Sequence, residues 1–554
     1  MLALFIKNFM HFSSRSLRYF GHGERGFILS LLALVALIYL PFLGSPFVFD
    51  DLHFFSGNTP SNFAHSQFHF DLRWLPYASL GWTWALFLDA PHFFHLGNTL
   101  LHAANVLLIF FLLRQLIRLT APANQKIHHS EWGAWLGALI FACNPVAVYA
   151  VGYVIQRSIL MATLFTLAMQ LAYLHGLVSG QKRWLALSLL FYFIAVFSKE
   201  HSLMAPAIVI ATTILLRSQT HADWRALWAA WLGYLIIGIF VVLRVKGVFG
   251  TAYEHDAAML FEQQEIAESR TALHLLSVVT QAGLFFKYLF LWWLPNPAWM
   301  SADMRETFAS SWPVWQSWLK VASFMLYGAL ASKLLLRRGQ MGLIGLALLY
   351  PWLLFIVEFS SIRVQEPFVL YRSYLWIPGM LLLIPLLVEI LPNRKKVMAA
   401  LTVTTLLLVP LSWNRLWVFA DSYRLWNDAA LLLKNEHTPG GARIYYNRGN
   451  AELTAKQWPE AIADYQRVLV INPKIEQAHL NIGVAHFNQK QYTEAIAAFN
   501  QAIALNQTYA LAYFGKGMAL KRLNSDIAAK EAMVESCKFG NTTGCLIIST
   551  SIQK

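Results

Sequence analysis

The chain has 554 residues and a formal net charge of +14, and it is 57% hydrophobic but only 13% charged. Soluble domains carry about 25% charged residues, so this composition excludes an ordinary soluble globular protein. The positive charge does not indicate nucleic-acid binding, because most basic residues of the apolar region lie in short loops, as they do in membrane proteins.

The region before about residue 415 contains repeated apolar runs close to the ~20 residues that cross a bilayer. We predict an all-α, polytopic membrane domain of about 11 spans, at roughly 27–46, 97–117, 132–149, 158–178, 184–198, 202–217, 226–246, 314–336, 341–358, 373–391 and 397–413. The run at 273–295 is also long enough to span. We interpret it as re-entrant or interfacial, because a further span there would move two basic loops out of the cytoplasm.

Basic clusters flank alternate ends of these runs, which predicts a cytoplasmic N-terminus and a C-terminus on the opposite side. In a bacterium the chain would lie in the inner membrane, with its C-terminal domain in the periplasm. The clusters assigned to the cytoplasm are Lys7/Arg15/Arg18/Arg25, Arg114/Arg118/Lys126, Lys182/Arg183, Arg217/Arg225, Lys333/Arg337/Arg338 and Arg394/Lys395/Lys396.

The C-terminal region repeats with a period of 34 residues, seen at Gly449, Gly483 and Gly517 and again at Ala461 and Ala495. This is the tetratricopeptide pattern, in which paired helices stack into an α-solenoid. We divide the chain into a membrane domain (1–414), a linker helix region (415–441) and about three repeats (442–554). Such arrays usually bind a protein in a concave groove; a rigid spacer or stabilising cap is the alternative.

Two of the three cysteines, Cys537 and Cys545, close the last repeat in "ESCKFGNTTGC". An oxidising compartment favours a disulfide between them. Two thiols alone make a poor zinc site, because zinc normally takes four ligands. Cys143 lies within a predicted span and is interpreted as a packing residue.

Two adjacent aspartates, Asp50 and Asp51, follow the first apolar run in "SPFVFDDLHF". Carboxylates beside hydrocarbon are costly and so indicate a function, although a pair that simply faces water is the alternative. A lipid phosphate headgroup would lie at the same depth, and a carboxylate there can act as a general base. The second aspartate would then orient the loop, an acceptor or a divalent cation.

The motifs "APHFFHLGNTLLHAANVLLIFFLLRQL", "FSKEHSLMAPAI" and "VLYRSYLWIPGM" follow the aspartate pair in that order. Together with the repeats, this order resembles the transmembrane-and-tetratricopeptide-repeat O-mannosyltransferase-like family, relatives of the protein O-mannosyltransferases within the GT-C superfamily. The resemblance covers nearly the whole chain. The sequence departs from the family pattern in having Asn144 before Pro145, where His-Pro is usual, and in displacing Arg372 by one position.

The resemblance implies an inverting membrane glycosyltransferase. Such an enzyme transfers a sugar from a polyprenyl-phosphate donor to a hydroxyl on the non-cytoplasmic face, and the acceptor expected here is Ser or Thr of an exported protein. It favours Asp50 over Asp51 as the base, with Glu200 as the next candidate. We predict Arg157, Lys199, Arg363 and Arg372 as phosphate-binding cations, and His95, Glu200 and Tyr371 as residues that line the site. No metal ligand set is predicted, although a divalent cation near the aspartates is conceivable.

Three alternatives stay open at this stage. One is an oligosaccharyltransferase, or a GT-C enzyme that modifies a lipid or polysaccharide. Another is a non-catalytic membrane scaffold whose repeats dock a partner. A transporter is disfavoured, because the isolated charges cluster at span ends and no repeat relates the halves of the membrane region.

Overall fold

The computed structural model describes residues 22–120, 128–245, 270–308, 315–364 and 366–552. The basic residues Lys7, Arg15, Arg18 and Lys126, on which part of the topology prediction rests, lie outside these ranges. Every regular element in the described ranges is helical. The chain forms two compact units: a helical unit (residues 1–300, 308–363 and 367–420) and a repeat unit (residues 301–307, 364–366 and 421–554).

The α-helices of the helical unit follow one another along the chain, with short 3-10 helices between them. Their bounds are α1 His22–Tyr39, α2 Asp50–Phe55, α3 Thr59–His65, α4 Trp74–Phe87, α5 Pro91–Thr120, α6 His128–Ala142, α7 Val148–Val151, α8 Arg157–Ser179, α9 Lys182–Ser198, α10 Ala205–Leu215, α11 Trp224–Val245, α12 Arg270–Trp293, α13 Trp315–Leu336, α14 Gly339–Phe355, α15 Leu383–Ile390 and α16 Arg394–Phe419. The 3-10 helices that matter for the site are Val154–Gln156, Glu200–Met204 and Leu370–Tyr374.

Eight helices of the described chain are long and apolar enough to cross a membrane, against the 11 spans predicted. They are Glu24–Phe42, Pro91–Thr120, Val154–Ser179, Trp224–Arg244, Thr271–Trp293, Trp315–Leu336, Gly339–Ser360 and Arg394–Phe419. Two further apolar helices, Glu200–Leu215 and Pro378–Ile390, are shorter. Length and composition make these helices candidates, and membrane crossing itself stays a prediction.

The segment interpreted as re-entrant or interfacial forms one continuous helix, so its interfacial placement stays a prediction. Residues 273–293 lie in α12, a continuous helix of 24 residues whose part Thr271–Trp293 is one of the eight candidates. A re-entrant segment needs a break at which the chain turns back, and the helix has none. The run is continuous because no proline or glycine pair interrupts it before Pro295.

The repeat unit is built from helix pairs that begin after α17, Ser422–Leu432. The pairs are α18 Gly441–Thr454 with α19 Trp458–Ile471, α20 Glu476–Asn488 with α21 Tyr492–Leu505, and α22 Ala510–Arg522 with α23 Asp526–Lys538; α24, Thr542–Ile552, follows. Three helix pairs therefore occupy the region in which the 34-residue period predicted about three repeats.

The residues that recur every 34 positions explain how the two helices of a pair pack. A Cβ atom added at Gly449 would lie 3.0 Å from the ring of Tyr465, and one at Gly483 would lie 2.5 Å from the ring of Phe499. Ala461 and Ala495 are fully buried beside these rings. The glycine lets the aromatic ring of the second helix pack directly on the backbone of the first.

The disulfide predicted at the end of the repeats is present, since Cys537 of α23 is bonded to Cys545 of α24. Their Cα atoms are 4.7 Å apart, within the usual range for a disulfide. The bond ties the last helix to the preceding pair. Cys143 is buried, as a packing residue would be.

Candidate active site

The two aspartates begin the short helix α2, and the residue before them has an unusual backbone conformation. Phe49 has φ 51° and ψ −124°, a region that side chains rarely adopt and that is often found near functional sites. The turn is closed by backbone bonds from Asp51 N to Val48 O and from Leu52 N to Phe49 O. This turn starts a helix at the aspartate pair.

Asp51 is completely buried, and its carboxylate holds the loop together. Oδ1 accepts a hydrogen bond from the backbone N–H of Ile155 (2.7 Å), while Oδ2 accepts from those of Val48 (3.2 Å) and Val154 (3.3 Å). Burial raises the pKa of this carboxyl to about 7, against the opposing effect of the three N–H donors. Asp51 therefore joins the turn at Val48 to the 3-10 helix Val154–Gln156.

Asp50, in contrast, is exposed. Its backbone N–H donates to the hydroxyl of Tyr153 at 2.9 Å, which fixes the position of its Cα. Its carboxylate accepts no hydrogen bond from any residue within the described ranges. The structure thus separates the pair into one accessible carboxylate and one buried carboxylate; the catalytic role of Asp50 stays a prediction.

Tyr153 and Tyr371 form a series of contacts between Asp50 and Lys199. The ring of Tyr153, which holds the Asp50 backbone, lies 6.1 Å from that of Tyr371. The Nζ atom of Lys199 lies 4.7 Å from the centre of the Tyr371 ring, a cation–π distance. Lys199 is buried, donates to Gln156 Oε1 at 2.8 Å, and has a pKa well below its usual value because of burial and nearby Arg73.

A buried glutamate, Glu358, collects the next group of charges. Its Oε2 atom lies 3.1 Å from Arg372 Nη1 and 3.5 Å from Arg363 Nε, and its Oε1 atom lies 3.0 Å from Nε2 of His201. Only 1% of Glu358 is exposed, so a charge there requires these partners. The predicted cations Arg363 and Arg372 therefore lie together around one carboxylate that sequence reasoning did not identify.

Glu200 and Arg73 complete the cluster. Arg73 donates from Nε to Glu200 Oε2 at 3.1 Å, and its Nη2 also contacts Glu200 Oε1. Glu200 Oε1 lies 3.5 Å from Nδ1 of His201, which links this pair to Glu358. We name Arg73, Lys199, Glu200, His201, Glu358, Arg363 and Arg372 the charged cluster. It holds four Lys or Arg side chains against two carboxylates, so it has an excess of positive charge.

Arg157, one of the predicted phosphate-binding cations, is held by protein acceptors. It is buried, with Nε on Asn98 Oδ1 (3.0 Å), Nη1 on Ser79 O and Thr83 Oγ1 (both 3.1 Å), and Nη2 on Phe94 O (2.9 Å). All three of its nitrogens therefore have protein acceptors, and Arg157 ties α4 and α5 to the start of α8. Its predicted contact with a phosphate stays a prediction, and the arrangement described here gives it a structural role.

His95, predicted to line the site, is buried, and its Nε2 atom lies 3.0 Å from Ser45 O. His102, seven residues further along α5, has its Nδ1 atom 2.7 Å from the hydroxyl oxygen of Tyr374 and its Nε2 atom 3.2 Å from the carbonyl oxygen of Ala142. Within the described ranges no group of three or more His, Cys, Asp or Glu residues is arranged to hold a metal ion. A divalent cation near the aspartates therefore stays an expectation.

An apolar cleft of about 410 Å³ lies between α9, α10 and α11. Leu203 and Met204, at the end of the 3-10 helix that starts with Glu200, form part of its wall. Helices α9, α10 and α11 supply the rest through Tyr192, Pro206, Ala207, Ile210, Trp231, Tyr234, Leu235, Gly238, Ile239, Val242 and Leu243. The cleft can accommodate a hydrocarbon chain.

Sequence reasoning missed Arg73, His201 and Glu358. His201 lies next to the predicted pair Lys199 and Glu200, so the motif "FSKEHS" itself pointed to it. Glu358 ends an apolar run, where an ionisable residue signals a function. Arg73 carried no local signal, because its partner Glu200 is 127 residues away.

Comparisons with known proteins identify the repeats. The family model of the tetratricopeptide repeat matches residues 442–475 and 476–509. Similar solved structures include the first tetratricopeptide domain of Spaghetti (RPAP3) bound to the HSP90 peptide SRMEEVD (24% identity, 20% of this chain and 90% of that chain covered, TM-score 0.20). Others are MamA (22%, 27% and 85%, 0.19) and the APC/C hetero-tetramer Cut9-Hcn1 (14%, 86% and 88%, 0.22).

These TM-scores are too low to establish a common fold over the chain. No curated protein matches the sequence. The two segments that the tetratricopeptide family model matches, residues 442–475 and 476–509, contain the helix pairs α18–α19 and α20–α21. The C-terminal region of this chain therefore consists of tetratricopeptide repeats, a module that binds protein partners.

Proposed function

We propose that this protein is an inverting membrane glycosyltransferase that moves a sugar from a polyprenyl-phosphate carrier to a hydroxyl group outside the cytoplasm. The observation that carries the proposal is the pairing of an accessible carboxylate, Asp50, with a charged cluster that has excess positive charge. Tyr153 and Tyr371 connect the two. A carboxylate and a cationic site are what base-assisted displacement of a phosphate requires.

In the proposed reaction, Asp50 takes the proton of the acceptor hydroxyl as its oxygen attacks the anomeric carbon. The bond between that carbon and the phosphate oxygen breaks, and the phosphate leaves with the bonding electrons. Attack from the face opposite the phosphate inverts the configuration. Asp51 does not react; it fixes the turn on which Asp50 stands through its three backbone hydrogen bonds.

The charged cluster is the proposed site of the donor phosphate. Lys199, Arg363 and Arg372 are the predicted cations that belong to it, whereas Arg157 lies outside the cluster, on Asn98, Ser79 and Phe94. Negative charge develops on the phosphate as the bond breaks, so fixed cations lower the barrier. The polyprenyl chain would occupy the apolar cleft, which starts at Leu203, three residues after Glu200.

A protein acceptor is favoured by the tetratricopeptide repeats, which bind protein partners. The proposed location of these repeats is the non-cytoplasmic side, where the Cys537–Cys545 disulfide would be stable. In a bacterium this corresponds to the periplasm, with the helical unit in the inner membrane.

The test is a transfer assay with the purified chain in lipid nanodiscs, polyprenyl-phosphate sugars as donors and a serine- and threonine-containing peptide as acceptor. The proposal predicts release of polyprenyl phosphate and a glycosylated peptide of inverted configuration, both lost in Asp50→Asn. If the donor is consumed and an added lipid or polysaccharide is modified instead of the peptide, the enzyme belongs to another acceptor class.

A non-catalytic scaffold is the second candidate, and the repeats are the observation that favours it. The two functions differ in their dependence on Asp50. A scaffold tolerates Asp50→Asn, because the exposed carboxylate has no structural partner within the described ranges. Partner capture by the repeats that is unaffected by this substitution, together with no transfer by the wild type, would establish the scaffold.

A further inference from the structure

Arg73 has a backbone conformation that its residue type does not favour. It precedes α4 with φ 65° and ψ 12°, the left-handed helical region. Glycine and asparagine adopt this region most readily, and a long side chain adopts it at a cost. Three of the seven non-glycine residues with positive φ in the described ranges lie between residues 49 and 88, the segment that carries the aspartates.

The backbone of Arg73 does not require an arginine. Its N–H donates to Phe197 O at 2.7 Å, and its carbonyl accepts from Tyr77 N at 3.1 Å. A glycine would make both bonds without the strain. The presence of arginine rather than glycine at position 73 must therefore be explained by the contacts of its side chain.

The guanidinium of Arg73 lies at the accessible edge of the charged cluster. Arg73 and Glu200 are each 23% exposed at the side chain, whereas the Arg372 and Glu358 side chains are 4% and 1% exposed. An arginine presents a planar fork that matches the oxygens of a phosphate. Glu200 orients this fork, and the deeper members of the cluster are already committed to Glu358.

We propose that Arg73 is the phosphate-binding residue at the mouth of the charged cluster, where it recognises the phosphate of a polyprenyl phosphate. This inference rests on the proposed function, whose list of phosphate-binding cations did not contain Arg73. The phosphate binds the guanidinium that Glu200 orients, and Lys199 lies in the chain segment that Arg73 contacts through Phe197 and Glu200. The strained backbone is retained because it places the guanidinium there.

The test compares Arg73→Gly, which relieves the backbone, with Arg73→Lys, which keeps the charge but not the fork. The probe is a short-chain polyprenyl phosphate, titrated onto the full-length protein in detergent. We expect Arg73→Gly to unfold at the same or a higher temperature than the wild type, but to bind the probe about 10- to 100-fold more weakly, the loss expected for charge-assisted hydrogen bonds. Arg73→Lys should lie between the two. Wild-type affinity in Arg73→Gly would overturn the inference.

A second comparison covers the case in which Arg73→Gly does not fold because Glu200 is left without its partner. The double variant Arg73→Gly/Glu200→Gln removes that carboxylate charge, and Glu200→Gln alone is its reference. Equal affinity in these two variants would overturn the inference, while weaker binding by the double variant supports it.

The outcomes also separate this inference from the proposed function. A wild type that binds polyprenyl phosphate through Arg73 but transfers no sugar would support the binding role and contradict the transferase. Sugar transfer by the wild type, together with a donor KM in Arg73→Gly equal to that of the wild type, would support the transferase and contradict the binding role of Arg73. No binding of the probe by the wild type would contradict both.

Discussion

The division of roles between the aspartates predicts opposite effects from two matched substitutions. Asp51→Asn replaces one carboxylate oxygen by an NH₂ group, which cannot accept a hydrogen bond. If the remaining oxygen keeps the 2.7 Å bond from Ile155, the N–H groups of Val48 and Val154 lose their acceptor. Each unsatisfied buried donor costs about 1–3 kcal/mol, so we expect the two together to lower the free energy of unfolding by roughly 2–6 kcal/mol.

Asp50→Asn should leave the fold intact, since substitutions of exposed side chains without such contacts change stability by about 0.5 kcal/mol or less. It should reduce turnover by about 10²- to 10⁴-fold, the usual contribution of a general base. The assay pairs thermal unfolding in detergent with sugar transfer by the same preparations. A stable Asp51→Asn protein with the more severe loss of turnover would reverse the assignment, and less than about tenfold loss in either variant would place the base elsewhere, with Glu200 the next candidate.

Three further predictions concern stability. Burial raises the pKa of Asp51 to about 7, so between about pH 4 and pH 7 the native state holds a proton that the unfolded chain has released. The stabilisation from this proton falls as the pH rises over that range and is lost above about pH 7. The difference in unfolding temperature between wild type and Asp51→Asn should therefore narrow from about pH 4 to pH 7 and stay level above it, and a difference that is constant over the whole range would contradict this. The Cys537–Cys545 disulfide contributes about 2–3 kcal/mol to the free energy of unfolding, so limited proteolysis should cleave off α24 faster when the disulfide is reduced. Equal cleavage rates in Cys537→Ser/Cys545→Ser and in the oxidised wild type would refute this. Gly440 has φ 82°, and a Cβ atom there would lie 2.3 Å from Arg305 Nη1, so Gly440→Ala should lower the unfolding temperature of the repeat unit. Gly540→Ala is the control, because Gly540 has φ 94° but open space around it. The fall in unfolding temperature should be larger for Gly440→Ala than for Gly540→Ala, in which only the backbone is strained.

The repeats were predictable from the sequence because their packing depends on residues at fixed local spacing. Gly449 and Tyr465 belong to one helix pair, and Gly483 and Phe499 repeat the same contact 34 residues later. The period therefore carries the structural information directly. Helix continuity in α12 was harder to predict, because a run of apolar residues does not say whether the chain turns back within it.

The candidate site depends on long-range contacts, and the sequence predicted it in part. Lys199, Arg363 and Arg372 were selected as isolated charges beside apolar runs, and the structure gathers them into the charged cluster. Arg157 met the same criterion, yet its partners are a backbone carbonyl of α5 and polar atoms of Asn98, Ser79 and Thr83. Whether a buried arginine faces a ligand or the protein depends on such atoms, which hydropathy does not reveal.

The most direct test of the transferase proposal compares exported proteins from three strains of the source organism: the wild type, a deletion strain carrying the wild-type gene, and the same deletion strain carrying Asp50→Asn. Intact-mass measurement should find sugar-sized additions on the same exported proteins in the first two strains and none in the third, with equal amounts of the membrane protein in the last two. The same sugar-sized additions in the Asp50→Asn strain as in the wild type would contradict the account.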